Sequence, residues 1–396
     1  MGIRAASWRG TSAAGLASAL AIGLAASAAE ATPQFARRLE LSCASCHLLP
    51  PLLNENGLAF QASGYQAPPR PAPAPAEAKR WHLLPLAAWI TARYEDQAAG
   101  ASELYLPKVE LVSGGRLGES WSYFAEWRLV SLALAADGEV RDRGGRFEDL
   151  FFERSFGDGH AVRFGQFRSL NQVDVSLRLG VSEPLLFNPA LPTGIHRDAR
   201  LAGLDRFSPA ARSPSLGYSW RSLAGERASD GLFHFVTLPF VGELSIPLSR
   251  EASSSASFEL RGPPKGAYFE TFFRRGLSSL GGHVFVADEG SLATAVGAWG
   301  VGDLVISGGA GFEDRDGAGS RWRGSAQAEY FFERRGGLRV APGVRVEDVR
   351  NDDRRATYVS YLALAAPSTR YTYLLQLELR SEESGESFVV DLSAIF

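Results

Sequence analysis

The sequence predicts an all-β chain: a transmembrane β-barrel of about sixteen antiparallel strands, preceded by a short, mostly helical segment. Three observations predict it. Apolar and polar residues alternate with period two along stretches of about ten residues, the length a tilted membrane strand needs. The chain stops at "SFVVDLSAIF", with Phe388, Val390, Leu392, Ala394 and the terminal Phe396 on one face, like the C-terminal strand by which outer-membrane barrels are recognised for assembly. Finally, tight and long connections alternate along the chain. Among 396 residues, glycine (42) and aromatics (11%) are plentiful and the net charge is −3, so nothing is basic enough to suggest a nucleic-acid partner.

Residues 1–31 read as a signal peptide. Arg4 and Arg9 give a positive start, Ser12 to Ala29 an Ala/Leu-rich core, and Ala29-Glu30-Ala31 a small-x-small cleavage site. The apolar core is too short and too rich in alanine for a membrane anchor. The chain is therefore expected to be exported.

Residues 32–65 hold both cysteines of the protein, in "CASCH". With no third thiol, a disulfide framework is excluded, leaving a redox dithiol, a zinc site or a haem. A dithiol does not need His47, and zinc would lack further cysteine ligands. Covalent c-type haem needs this spacing: Cys43 and Cys46 reach the two vinyl groups, and His47 turns its imidazole onto the iron. A carbonyl of Pro50 or Pro51 is placed to accept the His47 Nδ1–H and free Nε2 for the metal. Leu52, Leu53, Leu58 and Phe60 would cover one haem face. A segment this small cannot enclose a haem alone, so the rest of the chain must supply walls.

Residues 66–80 form a linker whose run "QAPPRPAPAPAEAK" favours polyproline II and would extend roughly 40 Å. It reads either as an inert tether or as a stiff arm.

Residues 81–396 carry the alternation. In "WSYFAEWRL", Trp121, Tyr123, Ala125, Trp127 and Leu129 oppose Ser122, Glu126 and Arg128. In "LRVAPGVRVE", Leu338, Val340, Val344 and Val346 oppose Arg339, Arg345 and Glu347; in "YTYLLQLELR", Tyr371, Tyr373, Leu375, Leu377 and Leu379 oppose Thr372, Gln376, Glu378 and Arg380. Strands are expected at 81–95, 104–114, 119–134, 147–156, 161–168, 214–222, 231–239, 266–275, 280–288, 292–300, 303–313, 322–333, 338–349, 355–366, 370–381 and 387–396. With periplasmic termini, tight turns such as Gly336-Gly337 face the periplasm and the longer, charged connections face outward. The longest is 169–213, and a loop of that length in a compact domain is seldom idle. Its entry, "VRFGQFRSLNQVDVSLRLGVSEPLLF", resembles the corresponding segment of phosphate-selective-type porins. Since porins generally fold their third extracellular loop into the barrel, this likeness implies that it turns inward as a wall of the haem pocket.

The whole pattern resembles the fused outer-membrane monohaem cytochrome–porins, best known as the iron oxidases of Fe(II)-oxidising bacteria. The resemblance rests on Pro33, Phe35-Ala36-Arg37, Cys43, Cys46, His47, Pro51, Leu53, Gly57, Phe60 and Gly64-Tyr65; it departs at Asn56, where an aromatic is usual. It is specific over residues 33–65 and architectural over 81–396. It implies one covalent haem c, an outer-membrane location, electron uptake from an extracellular donor (above all Fe(II)) and delivery to a periplasmic c-type cytochrome. That would make it an Fe(II):cytochrome c oxidoreductase-type protein. Oxidation outside keeps insoluble ferric products out of the cell.

The sixth haem ligand cannot be methionine, since Met1 is the only one and leaves with the signal. His196, in the long connection, and His82, at the start of the barrel, are the candidate distal ligands; His160, His234 and His283 are the remaining histidines. An open site, with peroxidase-like chemistry, is a further reading. Acidic groups at Asp137, Glu139 and Asp142, at Asp314 and Asp316, at Asp352 and Asp353, and at Glu382, Glu383 and Glu386 suit a transient ferrous ion, or simply solvation. Inward Arg128, Arg339, Arg345 and Arg380 read as ordinary lumen residues, or as partners that neutralise haem propionates. The alternative to electron transfer is a diffusion porin whose haem segment is a plug or sensor.

Overall fold

Sixteen antiparallel strands close on themselves in the order in which they occur in the chain. The computed structural model describes Phe35, Leu41 and residues 43–65, 86–97, 102–134, 138–142, 146–169, 171–172, 179–182, 212–240, 242–245, 257–260, 266–287, 290–315, 319–333, 337–350, 354–367, 372–382 and 385–395. The strands are β1 (Leu86–Asp96), β2 (Ser102–Arg116), β3 (Trp121–Val130), β4 (Arg146–Phe156), β5 (His160–Arg168), β6 (Arg212–Ser222), β7 (Gly231–Pro239) and β8 (Gly266–Arg275). They continue as β9 (Ser278–Ala287), β10 (Gly290–Val301), β11 (Leu304–Arg315), β12 (Gly319–Tyr330), β13 (Arg339–Arg350), β14 (Arg354–Pro367), β15 (Thr372–Glu382) and β16 (Gly385–Ile395). Each matches one expected strand. The signal peptide, the proline-rich linker and Phe396 lie outside the described residues.

The barrel closes where β16 meets β1, with Asp391 opposite Arg93 and Ser393 opposite Thr91. Arg93 grips Asp391 bidentately at 2.7 and 2.8 Å, and the two hydroxyls lie 2.8 Å apart. Closure leaves no sheet edge, the condition for a strand to cross lipid.

The alternation sorts the faces as the sequence predicts. On β13, Val344 and Val346 are exposed while Arg345 and Glu347 are buried. On β15, Leu379 is exposed, and Thr372, Gln376 and Glu378 are buried. Around the barrel, Leu280, Phe269, Trp299, Trp322 and Tyr358 lie outside, whereas Glu110, Glu270, Glu313, Arg323 and Asp391 lie inside. Apolar outside and ionic inside is the reverse of a soluble protein, and a lipid surround accounts for it.

Turns at 117–120, 157–159, 276–277 and 302–303 share one rim; the long connections 131–145, 169–211 and 240–265 share the other. Outer-membrane barrels turn tightly at the periplasmic end, which identifies the first rim as periplasmic. The alternation of lengths holds only in the first half, however. Connections 288–289, 316–318, 351–353 and 383–384 are as tight as the periplasmic turns. Cross-strand pairing there continues into the charged stretches: Asp314 pairs with Ser320 on β12, and Glu382 and Glu386 belong to β15 and β16. Those acidic groups are strand tips, not loops. Asp137, Asp316, Asp352, Asp353 and Glu383 lie outside the described residues.

Candidate functional site

Three small elements carry the Cys-x-x-Cys-His motif. Cys43–Ser45 form one 3-10 turn, with the Cys46 N–H donating to the Cys43 carbonyl at 3.2 Å. His47–Leu49 then pairs antiparallel with Leu52–Leu53. Helix α1 (Glu55–Ala62) follows, capped by Asn54, whose Oδ1 accepts from the N–H groups of Asn56 and Gly57 at 3.0 and 3.1 Å. The same side chain donates from Nδ2 to the Ala44 and Ser45 carbonyls, each at 3.2 Å. One residue thus ties the start of the helix to the turn bearing both thiols. The segment is less helical than expected. Pro50 and Pro51 offer no N–H, and each disfavours helix at the residue before it, so a hairpin forms instead.

Helix and turn touch at Gly57. A Cβ there would lie 2.1 Å from the Cys46 carbonyl oxygen and 2.8 Å from Leu53 Cδ2. Gly57→Val is expected to destabilise this segment by about 1–3 kcal/mol. Limited proteolysis should then cut within 43–65 faster while the barrel keeps its heat-modifiable migration; unchanged cutting would refute the close contact.

The segment sits in the periplasmic mouth of the barrel. Tyr65 stacks between Phe35 (5.5 Å) and Phe124 on β3 (5.1 Å), and Phe124 continues to Phe151 at 5.8 Å and thence to Phe167 at 5.9 Å. Glu55 pairs with Arg227 in the β6–β7 turn. Leu49 is fully buried against Phe331, Ala341, Ala363 and Leu374. Arg339, the first residue of β13, donates to the carbonyls of His47 and Leu48 at 2.5 and 2.7 Å.

Cys43, Cys46 and His47 line one cavity of about 850 Å³, within the range of cofactor sites. The His47 Nδ1 lies 3.0 Å from the Pro51 carbonyl oxygen, the bond expected of a ligating histidine, and Nε2 is left for a metal. Burial pushes the imidazole down to about 4, so it is neutral, as ligation requires. Burial also pushes both thiols up, which disfavours a redox dithiol. Two adjacent thiols, an oriented neutral imidazole and an apolar wall of Phe35, Leu53, Phe60 and Phe124 suit a c-type haem.

The structure does not bring the other predicted residues here. Arg128 is paired with Glu110 and Glu148, Arg345 with Glu347 and Ser182, and Arg380 with Glu382; none lines the cavity. Alternation identifies them as inward without saying what faces them. The arginines on the cavity wall are instead Arg163, Arg168 and Arg274, with Arg116 and Arg221 at its rim. His82 and His196 lie outside the described residues. His160 reaches the cavity edge with Nδ1 2.7 Å from the Tyr218 hydroxyl, while His234 and His283 are held by Ser222 and Thr294. Phe124 is missed by a reading that expects polar groups inside, though an aromatic on the polar face of "WSYFAEWRL" is the signal for it.

Comparison by sequence finds no matching protein family and no matching curated protein. By structure the chain is similar to Salmonella typhi OmpF in complex with daunomycin, with a TM-score of 0.53 and 10% identity over 78% of this chain and 97% of that one. It is also similar to the anion-selective porin of Comamonas acidovorans, with a TM-score of 0.48 and 14% identity over 78% and 98%. The fold is that of a porin-like outer-membrane barrel.

In this porin-like barrel the β5–β6 connection enters the lumen, as expected. Its described parts are held on opposite walls. The N–H groups of Asn171 and Gln172 donate to the Glu270 carboxylate on β8 at 2.9 and 2.8 Å, and Arg274 donates to the Gln172 carbonyl at 2.6 Å. Those of Val181 and Ser182 donate to Glu378 on β15 at 2.6 and 3.0 Å. Leu179 and Leu49 belong to one buried apolar cluster, so this connection and the N-terminal segment share a core inside the barrel.

Proposed function

We propose that the protein transfers electrons across the outer membrane through one haem c held by Cys43, Cys46 and His47. The observation that carries this reading is the Cys-x-x-Cys-His segment seated inside the barrel at its periplasmic mouth. Bound there, a haem supplies a one-electron ferric/ferrous couple. Cys43 and Cys46 would anchor it, and His47 would ligate through Nε2. Pro51 orients the ring, and the Phe35, Phe60 and Phe124 wall keeps water from the haem face. His196 or His82 is the proposed distal ligand. The donor is extracellular, Fe(II) above all, and the acceptor is a c-type cytochrome approaching the periplasmic mouth.

The second reading, a diffusion porin with a haem-bearing plug, is favoured by the likeness to OmpF. Two measurements separate them. Stopped-flow mixing with Fe(II) is expected to reduce the haem rapidly, and planar bilayers should show little steady current, because the lumen holds both the N-terminal segment and the β5–β6 connection. A large steady current with slow reduction would favour the diffusion porin.

A further inference from the structure

We infer that Arg339 is the residue that positions His47 and sets the charge beside it; the inference rests on the haem reading above. The guanidinium comes from the barrel, at the start of β13, and not from the segment that carries the motif. Its Nη1 donates to two successive carbonyls, those of His47 (2.5 Å) and Leu48 (2.7 Å). Those carbonyls belong to the same small hairpin whose turn supplies the Pro51 carbonyl to Nδ1 of the imidazole. Leu49, next in the chain, is fully buried against the wall. The imidazole is therefore held from below by the barrel and from the side by its own hairpin. Neither grip alone sets both the position of the backbone and the rotation of the ring.

The second consequence is electrostatic. Among the described residues Arg339 pairs with Glu333, whose carboxylate is 3.6 Å from Nη2 and 60% exposed, a weak screen for a cation that is 19% exposed. A cation next to the proximal ligand disfavours the more positive ferric state and raises the reduction potential. A grip on carbonyls alone would need only a neutral donor. Arginine adds the charge and reaches both carbonyls from one nitrogen.

The test uses the full-length protein in detergent, with equilibrium redox titration and electron paramagnetic resonance of the ferric haem. Arg339→Gln is expected to keep covalent haem but shift the ferric/ferrous ratio about tenfold toward ferric at a given ambient potential, equal to 59 mV for one electron. The ferric signal should broaden as the imidazole loses its single orientation. Arg339→Lys should restore most of the potential, through its charge, while leaving the signal broad, because the shorter side chain does not carry its donor as far as Nη1 reaches toward the two carbonyls. Arg227→Gln, which loosens the segment at the Glu55 contact, should leave the potential in place. Unchanged potential and signal in Arg339→Gln, with haem present, would overturn this inference alone. Equal shifts in Arg339→Gln and Arg227→Gln would also overturn it, since general loosening then suffices. Wild-type protein without covalent haem would overturn the haem reading itself.

Discussion

Cys43→Ala and Cys46→Ala are each expected to abolish or strongly reduce covalent haem on a denaturing gel, while the barrel still assembles. Each thioether needs its own sulfur, and the chain has no third cysteine to substitute. Cys43 is 5% exposed and faces the cavity, so losing its sulfur removes an attachment point already aimed at the site. Neither residue belongs to a barrel strand, and the β16–β1 closure through Arg93 and Asp391 lies on other elements. Heat-modifiable migration should therefore match the wild type. Undiminished haem staining in both variants would sink the c-type assignment and with it the proposed electron transfer.

Glu378→Ala is expected to release the far end of the β5–β6 connection. The carboxylate accepts from two adjacent backbone N–H groups, Val181 and Ser182, in a buried setting. Hydrogen bonds to a charged group contribute about 1.5–3 kcal/mol each, so the anchorage falls by roughly 3 kcal/mol or more. That corresponds to about a hundredfold rise in the open population. Protease added to the outer face of cells or liposomes should cut within 169–211 correspondingly faster, and Gln376, which donates to the Leu179 carbonyl at 2.6 Å, would remain as the weaker hold. Equal cleavage in variant and wild type would mean that the connection is held by other contacts.

The strands and their faces were legible because alternation is a local property. "YTYLLQLELR" places Thr372, Gln376 and Glu378 inside whatever their partners are. What those inward groups meet is decided by closure and register, which bring together residues as distant as Glu378 and Val181. That is why Arg345 and Arg380 read equally well as propionate ligands, yet close on Glu347 and Glu382. The motif itself is short-range, so Cys43, Cys46, His47 and the Pro51 carbonyl could be anticipated as a unit. Arg163 and Arg274 could not, since nothing local separates them from other inward arginines. The outer connections misled for a further reason: charge marks both a solvated loop and the paired tip of a long strand, as Asp314 and Glu386 demonstrate.

The seating of Tyr65 against Phe124 bears on how the N-terminal segment can move. Leu86 pairs with Ser113, and Ser113 with Ala125, so the chain re-enters the sheet two strands from where Tyr65 rests. Two strand spacings are about 10 Å. A chain as long as residues 66–85 can reach about 60 Å as polyproline II, far more than that gap. Chain length therefore does not limit the seating of the segment. Seating is then a one-molecule equilibrium, indifferent to how much protein the membrane holds. A segment that leaves the mouth stays on its own barrel, which leaves Tyr65, Glu55, Leu49 and the Arg339 grip to decide how long it is away.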